Sequence, residues 1–128
     1  MKHLVFSLLL FTSASALAQW SPAAIDADLT VINFDYSTLR RDGDLRKVWT
    51  LSNFIEKDSN GVMSSRVRME YDCKNERHRF LSFKLFSDKN ATGQTIEIGD
   101  TPSSWKDIAP DTAAWKLMQT ACQTKQVK

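Results

Sequence analysis

The sequence predicts an α+β fold: a single antiparallel β-sheet of about five or six strands with a C-terminal α-helix packed on one face. Three observations predict it. The stretch Ser65–Ser87 reads as strand, tight turn and strand, with the cleanest two-residue alternation in the chain. Asp111–Gln123 places Ala114, Leu117, Met118, Ala121 and Cys122 on one helical stripe. The two cysteines, Cys73 and Cys122, fall one in each of these segments.

The chain has 128 residues. Met1–Ala18 has the plan of a secretory signal peptide: Lys2 and His3, then the apolar run LVFSLLLF, then the small residues Ala16 and Ala18. The apolar run is about half as long as the ~20 residues a membrane-spanning helix needs. No cysteine stands near the cleavage site, so a bacterial lipoprotein signal is not present. The mature chain, 19–128, is then one exported domain with no transmembrane segment, periplasmic or secreted, or associated with the cell surface. Losing Lys2 takes the formal charge from +2 to +1, too balanced for a nucleic-acid partner. Two cysteines in an exported chain most economically form one disulfide. It closes a loop of about 50 residues, for which chain entropy accounts for roughly 4 kcal/mol.

Residues 19–28 read as an irregular lead-in, with Trp20 and Pro22 against the domain edge. Leu29–Tyr36 is rich in β-branched and aromatic residues and predicts a strand. Asp42-Gly43 marks a turn. Leu45–Phe54 is the next strand; both parities carry apolar residues, and Trp49 with Leu51 is the favoured core pair. Glu56–Gly61 is a polar loop. In the central strand Ser65, Val67, Met69, Tyr71 and Cys73 alternate with Arg66, Arg68, Glu70 and Asp72, as a half-buried antiparallel strand requires. With Lys74-Asn75-Glu76 as a three-residue turn, Cys73 faces Arg77, Tyr71 faces Arg79, Met69 faces Leu81, Val67 faces Phe83 and Ser65 faces Leu85. This register gathers the apolar residues on the cysteine side. Gly93–Ile98 is a short strand, and 99–110 is mostly loop with Trp105 and Ile108 as packing points. Asp111 is the expected helix cap after Pro110.

The chain resembles the surface-adhesin protein E family of Gram-negative bacteria. The resemblance rests on the turn Leu39-Arg40-Arg41-Asp42-Gly43, the strand Lys47-Val48-Trp49-Thr50-Leu51 and the motif Glu70-Tyr71-Asp72-Cys73. Arg79, Leu81-Ser82, Ser87-Asp88, Trp105, Ile108, Pro110 and Cys122 add to it. It implies a sheet with a disulfide-tethered C-terminal helix, Cys73 and Cys122 as the bridge, binding of extracellular-matrix proteins, and dimers.

Candidate site residues lie on the hairpin. In the register above, Arg66, Arg68, His78 and Lys84 share the outward face with Glu70 and Asp72, a basic surface suited to acidic partners. The competing reading is a solvated face with charges paired across strands. Phe80 and Phe86 fall on the same face and mark a dimer or partner surface unless the N-terminal segment covers them. His78 is the one histidine of the mature chain, a poor basis for a metal or haem site. Asp72 and His78 approach across the hairpin, but no nucleophile, phosphate loop or metal set accompanies them. The expected function is therefore non-enzymatic, without cofactor or metal: an exported module making protein–protein contacts, with a homodimer as one outcome. The alternatives are a periplasmic envelope protein that self-associates without a host target, and a small haem or metal carrier.

Overall fold

In a computed structural model of the chain, residues 19–124 are described; the leader reading of 1–18 lies outside them. The strands are β1 (Ser21–Ile25), β2 (Val31–Asp42), β3 (Leu45–Asn53), β4 (Ser64–Asp72), β5 (Arg77–Asp88), β6 (Thr92–Gly99) and β7 (Lys106–Asp107), followed by helix α1 (Ala113–Gln123). The first six form one antiparallel meander in chain order, and β7 adds to the turn-proximal end of β5. The predicted fold class holds. The lead-in, however, contributes the edge strand β1, whose Ser21 to Ile25 pair with Phe34 to Val31.

Tight turns set the meander. Asp42 pairs with Leu45 across Gly43-Asp44, where Gly43 takes a φ of 55° that a Cβ disfavours. β4 and β5 are joined by Cys73–Glu76, four residues rather than three. Asp72 organises that turn: its carboxylate accepts the backbone N–H of Lys74 at 3.2 Å and of Asn75 at 3.1 Å. Midway along β5, Gly99 lies under the Phe83 ring, which a Cβ at this position would overlap.

The helix side of the sheet holds the main core. Phe34, Leu39, Val48, Tyr71, Ile108, Leu117, Met118 and Ala121 are buried together there. The favoured core parity of β3 is thus overturned. Val48 pairs with Met69 on the helix side, whereas Trp49 and Leu51 pair with Arg68 and Arg66 on the other face. Leu51 is nonetheless buried, as are Val62 and Phe86, outside the helix-side cluster. The loop carrying Val62 is docked by Phe54 N–H on Met63 C=O and Met63 N–H on Phe86 C=O. On the outer face of β3 only Leu51 is buried, while Leu45, Lys47 and Trp49 stay half-exposed, so large apolar residues stand on both faces and the sequence shows no clean alternation.

Irregularities let long strands keep their apolar side chains inward. Between Asp35 and Arg40 the β2–β3 register slips. Within this interruption Leu39 reaches the core, and the Thr38 hydroxyl accepts the Trp49 N–H at 3.0 Å in place of a ladder carbonyl.

α1 starts at Thr112, whose hydroxyl accepts the Trp115 N–H at 3.1 Å. Asp111 is not the cap; its φ of 63° places it in the turn before the helix. The buried stripe is as expected, with Leu117, Met118 and Ala121 inside. Cys122 is disulfide-bonded to Cys73, the residue directly after β4, with Cα atoms 5.9 Å apart.

One short helix contributes little propensity of its own. Cys73→Ser is expected to lower stability by roughly 2–4 kcal/mol. Chemical denaturation of both forms measures it, and hydrogen exchange under reductant should show α1 exchanging before the sheet.

Candidate binding surface

The face opposite α1 is built from alternate residues of β3, β4 and β5. Cross-strand pairing runs Leu51 to Arg66 to Lys84 and Trp49 to Arg68 to Ser82. Nearer the turn it runs Lys47 to Glu70 to Arg79 and Leu45 to Asp72 to Arg77. Arg66, Arg68 and Lys84 are therefore brought together as expected. Phe86 is on this face but only 8% exposed, so it is packing rather than an outward patch.

His78 and Phe80 are corrected. Above the turn the β4–β5 register matches the expected one from Ser65–Leu85 to Arg68–Ser82; it then slips by one residue, so Met69 faces Phe80 and Tyr71 faces His78. The extra residue is Leu81. Such a bulge reverses the facing of the side chains between it and the turn, residues 77–80. His78 and Phe80 turn to the helix side, where the His78 ring lies 6.1 Å from Tyr71 and Phe80 meets Phe83 edge-on at 5.6 Å. Arg77 and Arg79 take their places on the outer face. The Asp72–His78 approach disappears with the slip.

Carboxylates and indoles fix these arginines. Arg79 Nε donates to Glu70 at 2.7 Å, and Lys47 Nζ lies 3.9 Å from the same carboxylate, which is 2% exposed. Arg77 Nε donates to Asp72 at 2.9 Å. Both guanidiniums also stack on Trp105, at 4.6 and 4.5 Å from the ring centroid. Further along the face, Arg66 stacks on Trp49 at 4.6 Å. Stacking holds the planar fork in place and leaves donor edges free for a carboxylate or sulfate. A groove of about 260 Å³ opens beside this pair, lined by Trp49, Arg66, Ser82, Lys84, Ile98 and Asp100 among others.

The buried carboxylates are balanced differently. Burial pushes the Asp72 carboxyl up, but the Asn75 side chain and backbone N–H and the Arg77 guanidinium together outweigh it and hold it down to about 2. His78 is shifted down by burial and then by Lys106. Among the described residues no three of His, Cys, Asp and Glu converge as a metal set. No described helix is long and apolar enough to cross a membrane.

Sequence reasoning missed Arg77, Arg79 and Trp105 as members of this face. The available signal was Asp72-x-x-Asn75, which favours a side-chain-capped four-residue turn and hence the slipped register. Trp105 was expected only as packing, and its partners follow from β7 pairing with Arg77 and His78.

These features define a class: one antiparallel meander with a single disulfide-tethered helix on one face and an arginine–tryptophan surface on the other. Residues 20–123 match the family model for surface-adhesin protein E. The chain belongs to that family. The fold is similar to crystal form II of Haemophilus influenzae protein E, with a TM-score of 0.58 at 11% identity over 84% of this chain and 93% of that one. It is also similar to protein E from non-typeable Haemophilus influenzae, with a TM-score of 0.56 at 10% identity over 85% and 78%. No curated protein matches the sequence.

Asp72 yields an acid-range prediction. Its carboxyl is depressed in the folded state, so its contribution is complete above the ordinary value of 3.8 and is lost as pH falls from there through about 2. Asp72→Asn should flatten the fall in stability over that window in urea denaturation. An unchanged acid limb would show that Asp72 is not the responsible group.

Proposed function

We propose that the protein is an exported, non-enzymatic binding module that engages acidic surfaces of partner proteins, extracellular-matrix proteins among them, through the outer face of β3–β5. The observation that carries this reading is the set of stacked arginines, Arg66 on Trp49 and Arg77 and Arg79 on Trp105. Arginine and tryptophan are enriched among residues that dominate protein interfaces. Stacked guanidiniums lose little further freedom on binding, which lowers the ordering cost of recognition. Arg68 and Lys84 extend the positive rim, and the family's adhesin character supports protein contact as the mode. Export rests on the leader-like residues 1–18. His78, Phe80 and Phe86 are outside the proposed surface.

One feature favours self-association as a second reading. The outer strand β6 is exposed from Thr92 to Ile98, and Ile96 and Ile98 are 38% and 64% exposed on it. An unpaired edge of this kind can add a strand from another copy.

A binding assay on immobilised matrix proteins at moderate salt tests the proposal. Replacing Arg66 and Lys84 together by glutamate should weaken binding at least tenfold, and more at low salt than at high salt. Unchanged thermal stability of the double variant would locate the loss at the surface. Equal binding by wild type and variant would contradict the proposal, as would recovery of nothing but the protein's own copies, which the β6 edge explains instead.

A further inference from the structure

The helix covers the sheet only in part. Its packing is mostly on β1, with smaller contacts to β3 and β4. Beside its first turns lies a hollow of about 320 Å³ reaching from β2 to β5. Ile32, Val67, Met69, Ala113, Ala114 and Leu117 form its apolar wall. This volume is at the lower end of small-molecule sites, roughly 300–1,000 Å³.

Polar groups reach the hollow at few points, and most are already committed. Asp26 accepts the backbone N–H groups of Asp28 and Thr30, each at 2.9 Å. Thr50 donates its hydroxyl to Val67 C=O at 3.0 Å. Tyr71 differs. It is 1% exposed, its ring is held beside Phe34 and His78 at 6.3 and 6.1 Å, and it lines the hollow. Among the described residues no protein group hydrogen-bonds its hydroxyl. No fully enclosed side-chain N or O among those residues lacks a partner, so the Tyr71 oxygen must retain its trace of surface. The hollow is the space that Tyr71 borders. Tyr71 therefore offers a hydroxyl donor with no protein acceptor among the described residues, on a residue that lines a mostly apolar recess. His78 lines the same recess and also has no protein partner among the described residues.

We infer that this hollow is a binding site for a small, uncharged, mostly apolar molecule with one hydrogen-bond acceptor, such as a medium-chain ketone or ester, whose acceptor meets the Tyr71 hydroxyl. The apolar wall takes the chain, and Tyr71 with His78 fixes the polar end. No free ionic group lines the recess to favour a charged head, since the Asp26 carboxylate is tied to backbone and burial disfavours the charged imidazole. The site is on the opposite face from the arginine surface, so it is separable from partner binding.

The test uses N-phenyl-1-naphthylamine fluorescence on the purified protein, with 2-decanone and decanoate as competitors. The probe should bind saturably at one site, and 2-decanone should displace it more effectively than decanoate. Tyr71→Phe should weaken 2-decanone about fivefold, the loss of one ordinary hydrogen bond. Ala114→Leu, which projects into the hollow from a helical position, should abolish probe binding while leaving partner binding by the outer face intact. Absence of saturable probe binding would overturn the inference. So would wild-type binding by a folded Ala114→Leu protein, or displacement by decanoate tenfold stronger than by the ketone.

Discussion

One extra residue in β5 decides which side chains reach which face. The turn after β4 is set by the Asp72 carboxylate on Lys74 and Asn75, and this fixes the pairing of Asp72 with Arg77. At the other end Val67 must meet Phe83 to keep the apolar side chains together. These two registers differ by one, and Leu81 absorbs the difference. Without it, Arg77 and Arg79 would point toward the helix, on the opposite face from their partners Asp72 and Glu70. Burying two unpaired guanidiniums would cost several kcal/mol. With it, each arginine has a carboxylate beside it and Trp105 beneath, and Tyr71 and His78 share the opposite face.

The disulfide acts on the same turn. Cys73 follows Asp72 directly, its N–H donates to Asp44 C=O at 2.9 Å, and its sulfur holds α1. The turn is therefore tied to the β2–β3 hairpin, to the helix and to β5 at once. This arrangement leaves the far half of the helix side uncovered. There Phe80 packs edge-on against Phe83, which in turn covers Gly99, and the recess at Tyr71 opens beside the first turns of the helix.

Much of this was legible from residues alone. The alternation from Ser65 to Asp72 specified a strand with one buried face, and the stripe from Ala114 to Cys122 specified the helix that meets it. The missed features have physical reasons. β1 is Ser-Pro-Ala-Ala-Ile, with neither alternation nor β-branched density, and exists because β2 offers it an edge. β3 carries large apolar side chains on both faces, Val48 in the core and Trp49 stacked under Arg66 on the outer face, so parity could not tell Val48 from Trp49. A bulge leaves no mark on composition, and it moved His78 and Phe80 off the candidate site while adding Arg77 and Arg79. The cap passed from Asp111 to Thr112 because the chain needs a positive φ at Asp111 to leave Pro110.

The most direct test of this account is the register of β4 against β5 in solution, read from cross-strand nuclear Overhauser effects. The account predicts backbone contacts linking Tyr71 with His78 and Met69 with Phe80, alongside Val67 with Phe83. Contacts linking Tyr71 with Arg79 and Met69 with Leu81 would mean an unbroken ladder. In that case the arginine–tryptophan surface and the Tyr71 recess would both have to be abandoned.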